Sequence, residues 1–421
     1  MQNLTSKLAH ASYFDGVLVM LSFFLTLFIP DLFVNSALHI GFEELLIPFM
    51  CLRLLWFRFI KVDFLVLALL YLFLVIALSI WRNGQHTDYR NFFELYKVFK
   101  LGVMYVFSYF IFREQRFQEW FCNLLRSAFI ALAVINILHL FNIFSVNEWF
   151  IALYDYDGRD TATFGLNSLG EPDSRRIIGT MGNPNDNAIL FLFFLVCFIS
   201  RHVADGPKER RHILSGYEWY ILICSVLIIL CQSRTGLIVF AGLVTVGLRY
   251  SEWSWKKLLY SVLILVGLLF LLDVLVQQQA IRYLSNTRIQ LQENNSVSSR
   301  IEIWKRLLSM WKDRPLLGYG PNKEFIYREK IYPENEYIFY LWRYGIMGLL
   351  GFVFLVVGDL LQRGRRWLDQ PMPLLLVIVI GVSALTNNPL TNPKFVVIFA
   401  IGWGLAANNT ITYKRQVLKA T

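Results

Sequence analysis

The longest polar stretch of the chain runs between Val276 and Tyr337. It holds Arg282, Arg288, Arg300, Arg306, Arg314 and Arg328, and closes on Pro333-Glu334-Asn335-Glu336-Tyr337. Guanidinium groups bind phosphate oxygens bidentately, and a carboxylate half removed from water can take a proton from a hydroxyl. A cationic segment ending in carboxylates at a membrane surface suits a substrate with an anionic lipid head and a hydroxyl to be activated. None of the six histidines of the chain falls within this segment.

Glu334 and Glu336 are the candidate bases, with Asn335 between them as a substrate contact. They immediately precede an apolar run, so the competing role is a helix N-terminus, where acids are stabilised by the dipole whatever the function. Arg234 stands in Cys231-Gln232-Ser233-Arg234-Thr235-Gly236, a tight turn between two apolar runs. A cation at that depth either snorkels to lipid headgroups or meets an anion, and the small polar neighbours let a ligand approach the backbone. Arg300 follows Ser299-x-x-Glu302, a capping box, which puts it in a first helical turn that favours anions, or leaves it as solvated charge. Arg314 and Tyr319 belong to the turn that ends this helix. Arg159, Arg175 and Arg176 precede Gly182-Asn183-Pro184-Asn185-Asp186-Asn187, which opens another helix. Asn183 and Asn185 either cap it or bond sugar hydroxyls; capping accounts for one asparagine of the three.

Other polar residues carry less. Asp155-Tyr156-Asp157 imitates the D-x-D metal motif of sugar transferases, but three letters in a tyrosine-rich loop match by chance, and no metal or other cofactor is expected. Glu94 and Lys97 pair three apart near a helix end, with Glu43 and Glu44 in a similar position; His139 reads as an interior histidine. Five cysteines (Cys51, Cys122, Cys197, Cys224, Cys231) all lie in or beside apolar runs, so they form no disulfide framework and no metal motif.

The elements that position these residues are membrane spans. The 421 residues are 56% hydrophobic and 17% charged, against roughly 25% charged in soluble proteins. Apolar blocks approach the ~20 residues that a spanning helix needs. The fold class is an all-α polytopic membrane protein with about twelve helices, near 16–34, 39–59, 62–80, 96–112, 120–144, 185–203, 217–232, 236–249, 258–276, 336–360, 372–386 and 394–409. The first apolar block continues as a span, so no cleavable signal peptide is expected. Basic residues concentrate in alternate connections: Arg58/Lys61, Arg113/Arg116, Arg201 to Arg211, Arg249 to Lys257, Arg363 to Arg366 and Lys414 to Lys419. By the positive-inside rule these are cytoplasmic, as are both termini. The whole chain is then one transmembrane domain with two long periplasmic loops, 145–184 and 277–335, the second carrying an amphipathic helix near 299–313. Trp304 and Trp311 on that helix suit either the membrane interface, roofing a cavity, or packing on its own loop. No repeat of two halves is present, which weakens a transporter reading.

Five motifs in order then resemble one family. They are Gly179-Thr180-Met181-Gly182-Asn183-Pro184-Asn185, Ser233-Arg234-Thr235-Gly236, Ser299-Arg300 through Trp304, Arg314-Pro315-Leu316-Leu317-Gly318-Tyr319-Gly320-Pro321, and Asn335-Glu336-Tyr337 before Gly345-Ile346-Met347-Gly348-Leu349. Over about residues 90–410 the chain resembles the bacterial O-antigen polymerase and ligase superfamily. The resemblance implies a GT-C-type membrane glycosyltransferase of the inner membrane that faces the periplasm and takes an undecaprenyl-diphosphate-linked oligosaccharide as donor. It implies Arg234 and Arg300 as the diphosphate grip, makes a chain-length regulator a plausible partner besides the lipid bilayer, and gives no place to nucleic acid. The ligases carry a histidine directly before the asparagine found here as Asn335; Glu334 occupies that position, which favours the polymerase. The alternatives are a ligase, which modifies lipid A core, and a flippase for the same lipid-linked sugar, which needs charges deep in the spans and no base.

Overall fold

The computed structural model of the chain describes residues 11–35, 38–57, 59, 62–85, 88–141, 143–146, 153, 176–204, 216–250, 266–267, 295–329, 331, 333–363 and 370–420. The helices are α1 (Tyr13–Phe28), α2 (Ile47–Trp56), α3 (Phe64–Arg82), α4 (Phe92–Ile111), α5 (Gln115–Phe141), α6 (Pro184–Ala204) and α7 (Tyr217–Leu230). They continue with α8 (Arg234–Tyr250), α9 (Asn295–Trp311), α10 (Lys323–Glu329), α11 (Glu336–Arg363), α12 (Pro371–Ser383) and α13 (Pro393–Ala420). Four of them, α3, α5, α6 and α11, are long and apolar enough to cross a bilayer, and α1, α7, α8, α12 and α13 are shorter apolar helices. The chain is therefore a polytopic membrane protein. The expected span 258–276 apart from residues 266–267, the Asp155-Tyr156-Asp157 triplet, Arg159, Arg175, Arg282 and Arg288 lie outside the described residues.

Local chemistry sets the helix ends. Ser12 and Asp15 form a capping box on α1, and Asp15 is held from α2 by Arg53 at 2.5 Å. The Asp63 carboxylate caps α3 by accepting from the Val66 N–H at 2.9 Å. Helix α6 is apolar around its whole circumference and is buried accordingly, packed by α7, α8 and α12. Phe129, Phe193, Phe194 and Phe198 knit it to its neighbours with edge-on and tilted ring contacts.

Two expectations change. The segment read as a span from 39 is instead an antiparallel hairpin, β1 (Leu32–Asn35) with β2 (Leu38–Ile40), followed by a 3-10 turn at Phe42–Leu46 and only then α2. The cause is charge: Lys100 on α4 holds Glu43 at 2.9 Å and Glu44 at 2.5 Å, drawing these acids inward and delaying the helix. The amphipathic helix α9 begins at Asn295, so Ser299 is not its cap and Arg300 sits in the second turn, beyond the reach of the terminal dipole. Its buried Leu307 packs with Phe339 and Trp342 of α11, so its apolar face covers protein.

Helix α11 breaks at Gly345 (φ 66°, ψ −164°). The backbone groups freed there are taken up by the segment 315–320. The Tyr319 N–H donates to the Trp342 carbonyl (3.1 Å), Gly320 N–H to Arg343 (2.7 Å), and Ile346 N–H to Pro315 (2.8 Å). Ser79 of α3 adds a hydroxyl donated to the Leu317 carbonyl at 2.6 Å. Gly318 and Gly345 make this approach feasible: a Cβ on Gly345 would lie 2.2 Å from the Leu316 backbone, and one on Gly318 2.4 Å from the Trp342 carbonyl. Gly345→Ala is expected to destabilise the protein by more than the about 1–3 kcal/mol of backbone strain alone, because a clash adds to it. Gly102→Ala, whose Cβ would meet only Leu69 at 3.8 Å, should be neutral or slightly stabilising. Thermal unfolding of the detergent-solubilised proteins checks both.

Candidate functional site

The polar loop 384–392 between α12 and α13 gathers several helix ends. Glu336, the first residue of α11 and fully buried, accepts from the Leu390 N–H (3.1 Å) and the Thr391 hydroxyl (3.0 Å). Its own N–H donates to the Ala384 carbonyl at 2.8 Å. Asn335 donates its side-chain amide to the Leu385 carbonyl (3.0 Å) and caps α11 by accepting from the Ile338 N–H (3.0 Å). The hydroxyls of Thr386 and Thr235, the second residue of α8, are hydrogen-bonded. Asn392 donates to Asp186, in the first turn of α6, at 3.0 Å, and Lys394 donates to the Thr180 carbonyl at 3.3 Å.

On this platform sit the two arginines of interest. Arg234 opens α8, capped by Ser233, whose hydroxyl accepts from the Gly236 N–H at 3.2 Å. The helix starts close against α6: a Cβ on Gly236 would stand 2.9 Å from that of Ala188. Arg234 is half-buried and has no hydrogen-bond or ion-pair partner among the described residues. Arg300 is ion-paired with Glu334, whose side chain remains 40% exposed. Glu334 stands in the left-handed region at φ 44°, a costly conformation for a residue with a Cβ. The Trp304 indole of α9 holds the preceding turn by donating to the Pro333 carbonyl at 2.5 Å. Contacts run unbroken from one arginine to the other: Arg300 to Glu334, Asn335 to Leu385, Thr386 to Thr235, beside Arg234. Glu334 is also near enough to Asp186 for the two charges to interact, as is Lys394.

The remaining expected site residues serve the framework. Each Glu336 carboxylate oxygen accepts a hydrogen bond from inside the protein and the side chain is fully buried, which makes it a brace in this arrangement. Asn335 is likewise a cap and tether. Arg176 is buried and donates to the Cys231 carbonyl (3.0 Å) and to Asn185 (3.1 Å), so neither it nor Asn185 is a free ligand contact. Asn183 accepts from the Asn185 N–H at 2.8 Å, which is a turn-forming role. Arg314 is exposed, bonded to Asn83 and stacked 4.8 Å over Tyr319. Tyr319 in turn stacks on Trp342 at 6.1 Å, and burial pushes its phenol up from the ordinary value. These two belong to the Gly345 interlock, where Gln85 also binds the Tyr319 carbonyl at 2.7 Å.

Sequence reasoning missed Asp186, Thr386, Asn392 and Lys394. A signal was present in Thr386-Asn387-Asn388-Pro389 and Asn392-Pro393-Lys394, two turn-forming clusters between apolar helices.

Residues 219–353 match the model of a family described as O-antigen ligase. The matched span contains Arg234, Arg300, Glu334 and Glu336 and both glycines of the α11 interlock, while α6 and the loop 384–392 lie outside it. No curated protein matches the chain.

Glu336→Ala strands two buried donors and is expected to cost about 1–3 kcal/mol for each. Glu336→Gln keeps one acceptor and should lose less stability and retain turnover. Thermal unfolding paired with glycan transfer checks this; abolition of transfer by Glu336→Gln without loss of stability would return Glu336 to the role of base.

Proposed function

We propose that the chain, of which residues 219–353 match a family described as O-antigen ligase, serves surface-polysaccharide processing as a glycosyltransferase that polymerises lipid-linked repeat units. The observation that carries this reading is the Arg300–Glu334 pair, half exposed, joined through the loop 384–392 to Arg234, which has no partner among the described residues. The proposed setting is the inner membrane of a bacterium, with about twelve spans, both termini cytoplasmic and the site facing the periplasm. A chain-length regulator is a proposed partner.

The donor in this proposal is a glycan on undecaprenyl diphosphate. Arg234 and Arg300 hold the diphosphate and neutralise the charge that grows on it in the transition state. The diphosphate competes with Glu334 for Arg300, and the carboxylate so released accepts the proton of an acceptor sugar hydroxyl. The oxygen attacks the anomeric carbon, the bond from that carbon to the diphosphate breaks with its electron pair going to phosphate, and the anomeric centre inverts. Two fixed guanidinium groups supply the charge stabilisation that a metal ion gives in other transferases, as in a GT-C enzyme working without one.

A ligase reading also has support, since the matching family is described as O-antigen ligase. Glu334 directly before Asn335, in a segment without histidine, favours the polymerase. The acceptor decides: a polymerase lengthens lipid-linked glycan into a ladder, and a ligase modifies lipid A core.

Purified protein with lipid-linked repeats should therefore produce such a ladder. Arg234→Ala is expected to lower turnover by about 10²-fold or more, with Arg234→Lys between it and the unaltered protein. Glu334→Gln should lower kcat by about 10²-fold or more while leaving KM within a few-fold. Unchanged turnover in all three variants overturns the assignment.

A further inference from the structure

A second charge cluster lies beside the first site and has no role in the reaction above. Glu94, in the first turn of α4, meets Lys323 of α10 at 2.6 Å, Lys97 at 3.3 Å and Arg343 of α11 at 3.4 Å. The cluster is deep: the Arg343 side chain is 2% exposed and Glu94 9%, while Lys323 and Lys97 are 15% and 19% exposed. One carboxylate faces three cations. The other acid near Lys97 is Glu336, whose oxygens are taken by Leu390 and Thr391. The Nε of Arg343 is buried with no hydrogen-bond partner among the described residues, and the guanidinium lies 3.9 Å over the Phe339 ring.

We propose that Lys97, Lys323 and Arg343 form a second anion seat, which takes a phosphate or diphosphate group. Two lysine point charges and a guanidinium fork converging on one small volume match a compact, multiply charged anion rather than a single carboxylate. Its two lysines are its more exposed members. Arg343 lies seven residues, about two turns, along α11 from Glu336, so the seat and the first site share one helix. Its identity as the seat of the second lipid-linked substrate rests on the polymerase reading; the seat itself does not.

The seat is coupled to protons. Burial pushes the Lys323 ammonium down to about 7, with Lys97 and Arg343 adding to the effect and Glu94 opposing it. Above neutral pH, Lys323 sheds its proton and the excess charge falls. An arriving anion favours the protonated lysine, so binding takes up a proton and tightens as pH falls through 7.

The test uses full-length protein in detergent carrying Arg234→Ala and Arg300→Ala, which removes the first clamp. Inorganic pyrophosphate is titrated by calorimetry at pH 6.0 and 8.5, with farnesyl diphosphate as a separate arm. Pyrophosphate should still bind, about tenfold or more tighter at pH 6.0. Adding Lys323→Met should weaken binding at pH 6.0 by about tenfold and remove the pH difference. Lys97→Met, which leaves the titrating lysine in place, should weaken binding at both pH values, and it serves should the Lys323 variant fail to fold. Tighter binding of farnesyl diphosphate supports the seat with a lipid headgroup as occupant, and equal binding supports it with free phosphate. Loss of all binding on removing Arg234 and Arg300, or full binding in both lysine variants, overturns the seat. Glycan transfer by the Arg234 and Arg300 variants tests the polymerase reading separately, so the two can fail independently.

Discussion

A helix inside a bilayer has no water with which to satisfy a broken backbone, so every interruption must be answered by protein. The break at Gly345 in α11 is answered by the backbone of 315–320, which supplies and accepts the hydrogen bonds the helix gives up. That pairing fixes the direction of the nine residues before the break, and with them the head of α11. Glu334, Asn335 and Glu336 sit at that head. The candidate site is therefore aimed by a contact two and a half turns away, between segments that are separated by some two dozen residues in the chain.

The head of α11 is fixed again from the other side. Glu336 is buried as an acceptor for the loop 384–392, and the same loop reaches α8 through Thr386 and α6 through Asn392. A buried carboxylate is costly unless hydrogen-bonded, and here it is satisfied by a backbone N–H and a hydroxyl. This division of labour separates two adjacent acids. Glu336 is spent on structure; Glu334, two residues before the helix starts, is left half exposed against Arg300 in a strained conformation. Such a pair is close to neutral at rest and is opened by an anion that competes for the arginine.

Cations near the ends of α4, α8, α9 and α10 and within α11 are thus not equivalent. Arg234 has no partner among the described residues, Arg300 has one that can be displaced, and Lys97, Lys323 and Arg343 share a single acid. Arg176 and Arg314, of the same residue type and in neighbouring loops, are occupied by carbonyl and amide oxygens. Their role is to hold turns in place. For an anionic ligand, guanidinium groups that are displaceable, or unpaired among the described residues, are the ones with electrostatic work left to do.

Hydropathy and the order of five short motifs made the membrane class and the superfamily legible in the sequence, because both depend on neighbours along the chain. The Arg234 turn and the Glu334 segment were legible for the same reason: their unusual feature is charge set directly against an apolar run. The roles of Glu336 and Arg176 were not, since Leu390, Thr391 and Cys231, which they bind, lie more than fifty residues away. Nor was the start of α9, where Ser299 fits a cap that the helix does not use, or the delay of α2, which follows from Lys100 on another helix. The chain by itself determined which groups are charged, which segments prefer lipid and where the backbone can turn. Only the tertiary structure decided which of those charges are already satisfied, because partnership between distant side chains depends on packing, and packing is not written in local spacing.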